Sequence, residues 1–399
     1  MSNIREYRKD GGNRDVEAKR LNYKEKIRSY RLTRFYQILL FVLVLAGVAV
    51  VLYIQWQNRI FSEHILIASA ENRIVSGTAL RNLDGNVLGF SKDGISLTDS
   101  DGRALWNLTY EMQEPRVAIC RDVVAVADYN GSTIYVLNTE QRLGEINTNL
   151  PIRAFEVTAV GHVLAVLDDG NTTWVNLYGT DGTQISSSRT SMNDSGYPVS
   201  VAVSPNGRLV GTSFFQVADG SSRTSIFFYN FGPVGQNTQN YMSGYNYADT
   251  IAPHLRFMGD DAAFAVSDDR IMFYAGNEKP LSIAENLLAE KVVSIYGSED
   301  YVGLVFYATS GEALYRLDIY DKKGALVLSW EFDFDYTEVV FSRDSFIIYN
   351  ELDLLICGVN GVEKYSGPLD KVTILLIPTA SASRFIAVTA DSIDTLEFK

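Results

Sequence analysis

The residues best able to do chemistry in this chain are three histidines and two cysteines, and none has the company it needs. A metal site asks for His, Cys or carboxylate ligands at short, convergent spacing. His64, His162 and His254 instead fall in separate parts of the sequence and read as turn or surface residues. Cys120 and Cys357 fall on opposite sides of one large domain, so they are expected not to pair, and no Cys-x-x-Cys occurs. There is no G-x-S-x-G elbow for a nucleophilic serine and no glycine-rich phosphate loop. Asp99 and Asp101 begin like a calcium loop, but Tyr110 stands at the twelfth position, where a bidentate acid belongs. The pairs Asp260-Asp261 and Asp268-Asp269 read as turn residues. Glycoside hydrolysis needs two carboxylates facing each other across a sugar, and here the acids cluster at turns. No catalytic residue, metal ligand or cofactor site is therefore assigned.

One segment offers contact rather than chemistry. Residues 232–252, GPVGQNTQNYMSGYNYADTIA, are polar and aromatic where equivalent connections are short, so they read as a long loop. Tyr241, Tyr245 and Tyr247 in it are candidate contacts for a glycan or a protein partner, because tyrosine combines an apolar ring with a polar tip.

These residues must be positioned by a strand-rich scaffold. From residue 73 onward, short apolar runs alternate with tight turns, and helical periodicity is nearly absent. Nine Asp-Gly or Asn-Gly dipeptides, from Asp84-Gly85 to Asn360-Gly361, supply the positive φ that hairpin turns require. The first unit reads as four strands, RIVSGTAL, NVLGFS, GISLTD and RALWNLT. First strands then recur near Arg116, Arg153, Val199, His254, Val292, Glu338 and Val372, at intervals of about 35–55 residues that bracket a propeller blade. Runs such as VVAVAD, HVLAVLD and SFIIYN supply second strands.

The fold expected is an all-β propeller. Eight blades are favoured, and seven remain if the unit around Ala263 to Ala275 merges with a neighbour. The last unit ends after three strands, and EHILIAS at 63–69 is a spare strand that could complete it and so leave no open edge.

Ahead of the propeller, residues 35–54 run 20 residues without a charge, about what a helix needs to cross a hydrocarbon core of roughly 30 Å. Arg28, Arg31 and Arg34 precede the run and only Arg59 follows closely, which puts the N-terminus in the cytoplasm and the large domain outside. The 34-residue polar stretch before it argues for an uncleaved anchor rather than a signal peptide. The organisation expected is a basic cytoplasmic tail (1–34), a transmembrane helix (35–54), a connector with a possible closing strand (55–72) and an extracytoplasmic propeller (73–399).

Charge follows the same division. The chain's net charge is -13, yet residues 1–34 hold 11 Lys/Arg against 5 Asp/Glu, leaving 24 against 43 beyond them. So acidic a domain repels phosphate backbones, and nucleic acid is not an expected partner. Having only two cysteines excludes a disulfide scaffold and fits a bacterial envelope.

The run ISLTDSDGRALWNL (95–108) resembles the repeat of quinoprotein-like propellers, and SPNGRLV (204–210) resembles the turn of WD-repeat blades. The architecture as a whole resembles a family of uncharacterised membrane-anchored propeller proteins of Gram-positive anaerobes. Most units lack the Trp-Asp ending of WD repeats and the tryptophan docking of quinoproteins, so a bound pyrroloquinoline quinone is not expected. The function read from all this is binding or scaffolding of an envelope protein or glycan. The alternatives are a carboxylate-based hydrolase or lyase at one rim, or a ligand sensor signalling through the tail. The bilayer itself is the expected partner of residues 35–54.

Overall fold

The computed structural model describes residues 28, 30–55, 58–75, 77–170, 172–191, 195–218, 220–309 and 311–399. The basic tail lies outside the described residues apart from its last few positions, as does Trp56. Two compact units result, residues 1–59 and 60–399.

In the first unit, Tyr30–Gln55 form one helix of 26 residues, about 39 Å long at 1.5 Å per residue. Its side chains are exposed all round. A helix apolar on every face has no solvent-facing side to present, so it is long and apolar enough to cross a membrane.

The second unit is an eight-bladed β-propeller. There are eight four-stranded antiparallel sheets, seven of which pair their strands in chain order, and the strands of each are labelled a to d from the centre outward. Blade 1 spans 79–109, blade 2 115–147, blade 3 152–191, blade 4 197–248, blade 5 254–287, blade 6 294–332 and blade 7 338–368. Blade 8 takes its a, b and c strands from Leu375–Pro378, Arg384–Val388 and Ser392–Phe398, and its d strand from His64–Glu71 near the start of the unit. The unit around Ala263 to Ala275 forms a blade of its own, so the count is eight.

Why the ring closes is visible in its cores. Among the described residues, eight hydrophobic clusters fill the eight gaps between consecutive blades. The b strands feed both neighbouring gaps: Val123–Asp128 buries Ala125 against blade 3 and Val124 against blade 1. This is why b strands read as continuous apolar runs, whereas a half-buried strand alternates. The last gap, between blades 8 and 1, is filled by Leu80 and Val87 against Leu375, Ile377 and Ile386.

Turn chemistry follows the dipeptides with one exception. Gly85, Gly102, Gly170, Gly182, Gly207, Gly220 and Gly361 have positive φ, as does Asn130 ahead of Gly131, but neither Asp93 nor Gly94 does. Gly94 opens a strand, where a Cβ would come 2.6 Å from the Leu108 carbonyl oxygen, so close backbone approach is the reason for glycine there.

Candidate functional site

A propeller has two rims. The a–b and c–d turns lie on one, and the b–c and d–a connections lie on the other. The chain enters the domain just before His64, at the start of a d strand, and therefore at the a–b rim. That entry is pinned: the Phe61 amide donates to the Lys364 carbonyl at 2.7 Å, the Ser62 amide donates to the Lys399 carbonyl at 2.7 Å, and Lys399 returns a bond to Glu63 at 2.9 Å.

His64 departs from the surface position expected of it. Its side chain is only 7% exposed, between the Tyr365 hydroxyl at 3.1 Å and the Asp370 carboxylate at 3.2 Å. The reason is that the closing strand lays it against Phe398 and Tyr365.

The tyrosine segment is a second correction. Residues 232–252 are not a long loop: Gly235–Thr238 form a 3-10 turn, and Tyr241–Ala248 form the d strand of blade 4. Gly, Asn and Ser in that stretch look like loop chemistry, but an outer strand has one open side and tolerates them. Tyr247 is buried, with its hydroxyl 2.9 Å from that of Tyr274, and Tyr245 donates to the Pro280 carbonyl at 3.2 Å. These two rings pack blade 4 on blade 5, and only Tyr241, 47% exposed, faces out.

An exposed aromatic group stands elsewhere, on the b–c and d–a rim of blade 6. Tyr307 ends strand b, Tyr315 begins c and Phe332 ends d, and register places the three directly opposite one another. Their rings stack at 5.6 and 5.4 Å with interplanar angles of 28° and 27°. Tyr336 meets Tyr315 edge-on at 5.0 Å, and Phe334 packs on Phe332 at 5.5 Å. The outermost ring, Tyr307, is 66% exposed, and Leu314, next to Tyr315 in sequence, is 48% exposed. Polar groups border the stack: Tyr315 donates to the Asp335 carboxylate at 3.1 Å, and Asn350 donates to the Asp335 carbonyl at 2.7 Å. Cross-strand aromatic pairs stabilise a sheet, and an exposed one with polar neighbours is also a ready contact surface.

The propeller's axis holds a pocket of about 310 Å³ at the a–b rim. Across it the Arg121 guanidinium of blade 2 meets the Glu299 carboxylate of blade 6 at 3.0 Å. Glu156 and Arg256 also line it. Water reaches Glu156, yet the walls of the channel enclose it, and this burial pushes its carboxyl up to about 7 while Arg256 acts the other way. A wider cleft of about 1300 Å³ runs along blade 1, between Glu71 at the end of the closing strand and Glu114. Cys120 and Cys357 are both free thiols, in blades 2 and 7. No group of three or more His, Cys, Asp or Glu with metal-holding geometry occurs among the described residues.

Together these features define a closed eight-bladed propeller preceded by an apolar helix. The family described as "Family of unknown function (DUF5711)" matches residues 57–398, and the chain belongs to it. A search of curated proteins returns no significant match. Among solved structures the chain is similar to a eukaryotic initiation factor, at 14% identity and TM-score 0.53, over 82% of this chain and 87% of that one. It is also similar to Chaetomium thermophilum Sqt1 bound to the N-terminus of ribosomal protein L10, at 12% identity and TM-score 0.53, over 84% and 100%. BamB from Moraxella catarrhalis aligns at 11% identity and TM-score 0.48, over 84% and 100%. At such identities the likeness is one of fold.

Proposed function

We propose that this chain is a membrane-tethered propeller that binds an envelope protein or glycan, without turning it over, through the b–c and d–a rim of blade 6. The observation that carries this reading is the Tyr307–Tyr315–Phe332 stack, exposed at its outer ring on the rim opposite the chain's entry. Large rings lose few rotatable bonds on contact and bury much area, which makes them effective anchors at interfaces. Asp335 and Asn350 add hydrogen-bonding groups that fix orientation. In this reading the apolar helix is the tether, with Arg28, Arg31 and Arg34 on the cytoplasmic side. A propeller is a common frame for binding, but its ligand is set by rim residues and not by the fold.

The test is proximity labelling of the full-length chain in its native membrane, with Tyr307→Ala and Leu314→Ser as a paired variant. Envelope proteins enriched by the wild type and lost in the variant support the reading with a protein partner. Retention of the wild type on envelope polysaccharide, lost in the variant, supports it with a glycan. Equal labelling and equal retention by both chains would overturn it.

A further inference from the structure

The channel pocket at the a–b rim carries a second inference, independent of the aromatic rim. Its walls come from the a strands and a–b turns of blades 2 to 6. The Arg121–Glu299 pair satisfies one charge of each sign across the opening. Burial pushes the Cys120 thiol up to about 11, so it stays protonated and adds no charge. Two charged groups remain, Glu156 on blade 3 and Arg256 on blade 5, two and three residues before their own a–b turns.

Neither Glu156 nor Arg256 has a hydrogen bond or ion pair among the described residues. They do not pair with each other, because blade 4 separates them with the small apolar wall of Ala202, Val203 and Pro205. The Arg256 stem also runs along blade 6, where a Cβ on Gly297 would lie 3.7 Å from Arg256 Cδ. The channel therefore holds one carboxylate and one guanidinium, each unpaired, facing a space of about 310 Å³. That volume sits at the small end of ligand cavities, about 300–1,000 Å³. Both side chains are open to the channel's water, so what a ligand gains there is pairing with an opposite charge in a walled space where screening is weaker than in bulk water, and a guanidinium fork matches a carboxylate in particular.

We infer that this pocket binds a small zwitterion of the amino-acid or short-peptide class, with its ammonium on Glu156 and its carboxylate on Arg256. The pocket's own charges sum to zero, with Arg121 and Arg256 against Glu156 and Glu299, which suits a ligand of no net charge. A simple cation or anion satisfies one group and leaves the other unpaired.

The experiment is calorimetric titration of the full-length chain in detergent with the dipeptide L-alanyl-L-alanine, with n-propylamine and propionate as single-charge controls. Saturable binding of the dipeptide is expected. Each control, and each of the variants Glu156→Gln and Arg256→Gln, should bind about tenfold or more weakly, the usual cost of a lost charged hydrogen bond. Melting curves accompany each variant, and if Arg256→Gln melts early, Arg256→Lys replaces it, keeping the charge but losing the fork.

Affinity for the dipeptide should also rise between about pH 5.5 and pH 7 as Glu156 ionises, its carboxyl raised to about 7 with Arg121, Arg256, Glu299 and Cys120 facing it, because the dipeptide's own ammonium, which titrates near roughly 8, stays charged over that range. Glu156→Gln should remove that rise. No saturable heat with the dipeptide up to about 10 mM, well beyond the Kd range of specific sites, or equal affinity in wild type and both variants, would overturn the inference.

Discussion

Two of the propeller's aromatic clusters serve opposite ends. In blade 8, Phe398 is 1% exposed and touches Phe61, His64, Tyr365 and Phe385 at centroid distances of 4.8 to 6.1 Å. In blade 6, Tyr307 heads a stack of similar spacing and stays 66% exposed. Ring chemistry and spacing are alike, so what differs is cover. Over Phe398 lies the segment that enters the domain, with Phe61 buried and Ser62 bonded to the chain's last residue. Over Tyr307 no element lies among the described residues, and the ring stays 66% exposed. The first cluster holds the ring shut, and the second is surface available to a partner.

The sharpest way to break the comparison is to remove its buried half. Phe398→Ala should cost about 3–5 kcal/mol, the usual loss for a fully buried phenylalanine. Urea denaturation of the full-length chain should show a midpoint shifted far down, and a shift of a few tenths of a molar would contradict the assignment of Phe398 to the closure.

Acid should loosen the same seam. Asp394, 4% exposed in its side chain, accepts from Ser69 of the closing strand at 2.5 Å and from Lys371 at 2.7 Å. Burial acts to raise its pKa, but bonds from Lys371, Ser69 and Ser392 outweigh it, so the carboxyl titrates below its ordinary 3.8. A carboxyl lowered on folding lends stability above its unfolded value and loses it as pH falls through the folded one. Wild type and Asp394→Asn should therefore differ most in denaturation midpoint near pH 6 and converge below pH 4. A gap that widens in acid would mean that the charge is not what ties the strand.

A smaller effect belongs to the misread tyrosines. Tyr274→Phe deletes the hydroxyl that meets Tyr247 at 2.9 Å between blades 4 and 5, which should cost about 1 kcal/mol. Denaturation curves that superimpose on the wild type would instead leave Tyr247 free to serve a partner. The least effect on folding is expected at the open stack, where Tyr307→Ala should change stability by no more than about 0.5 kcal/mol, as surface substitutions do.

The blades were legible because their inner strands announce themselves. VVAVAD and HVLAVLD are apolar throughout since both faces are covered, and paired Asp-Gly or Asn-Gly marks many of the hairpins. Even the closing strand at 63–69 could be read, from the missing fourth strand of the last unit. Outer strands were harder. Leu281–Leu287 alternates exposed with half-buried residues, and Tyr241–Ala248 is rich in Gly, Asn and Ser, so neither carries an apolar run, and the second reads as a loop in the sequence.

The candidate sites were least legible of all. Tyr307, Tyr315 and Phe332 come together only through cross-strand register, and Glu156 and Arg256 line one pocket only because the ring curves round its axis. Tyr-Ala-Thr-Ser at 307–310 and Phe-Asp-Phe at 332–334 are signals that could have drawn attention to the first. No local signal marks the second.

The most direct test of the account places a photo-crosslinking amino acid at position 307 and, separately, at position 323, in the c–d turn of the same blade on the opposite rim. Both full-length chains are irradiated in native membranes. A discrete crosslinked species is expected from position 307 and none from position 323, where Lys323 is also exposed. Crosslinks from 323 alone, or the same species from both, would contradict the claim that the open aromatic rim is where this propeller binds.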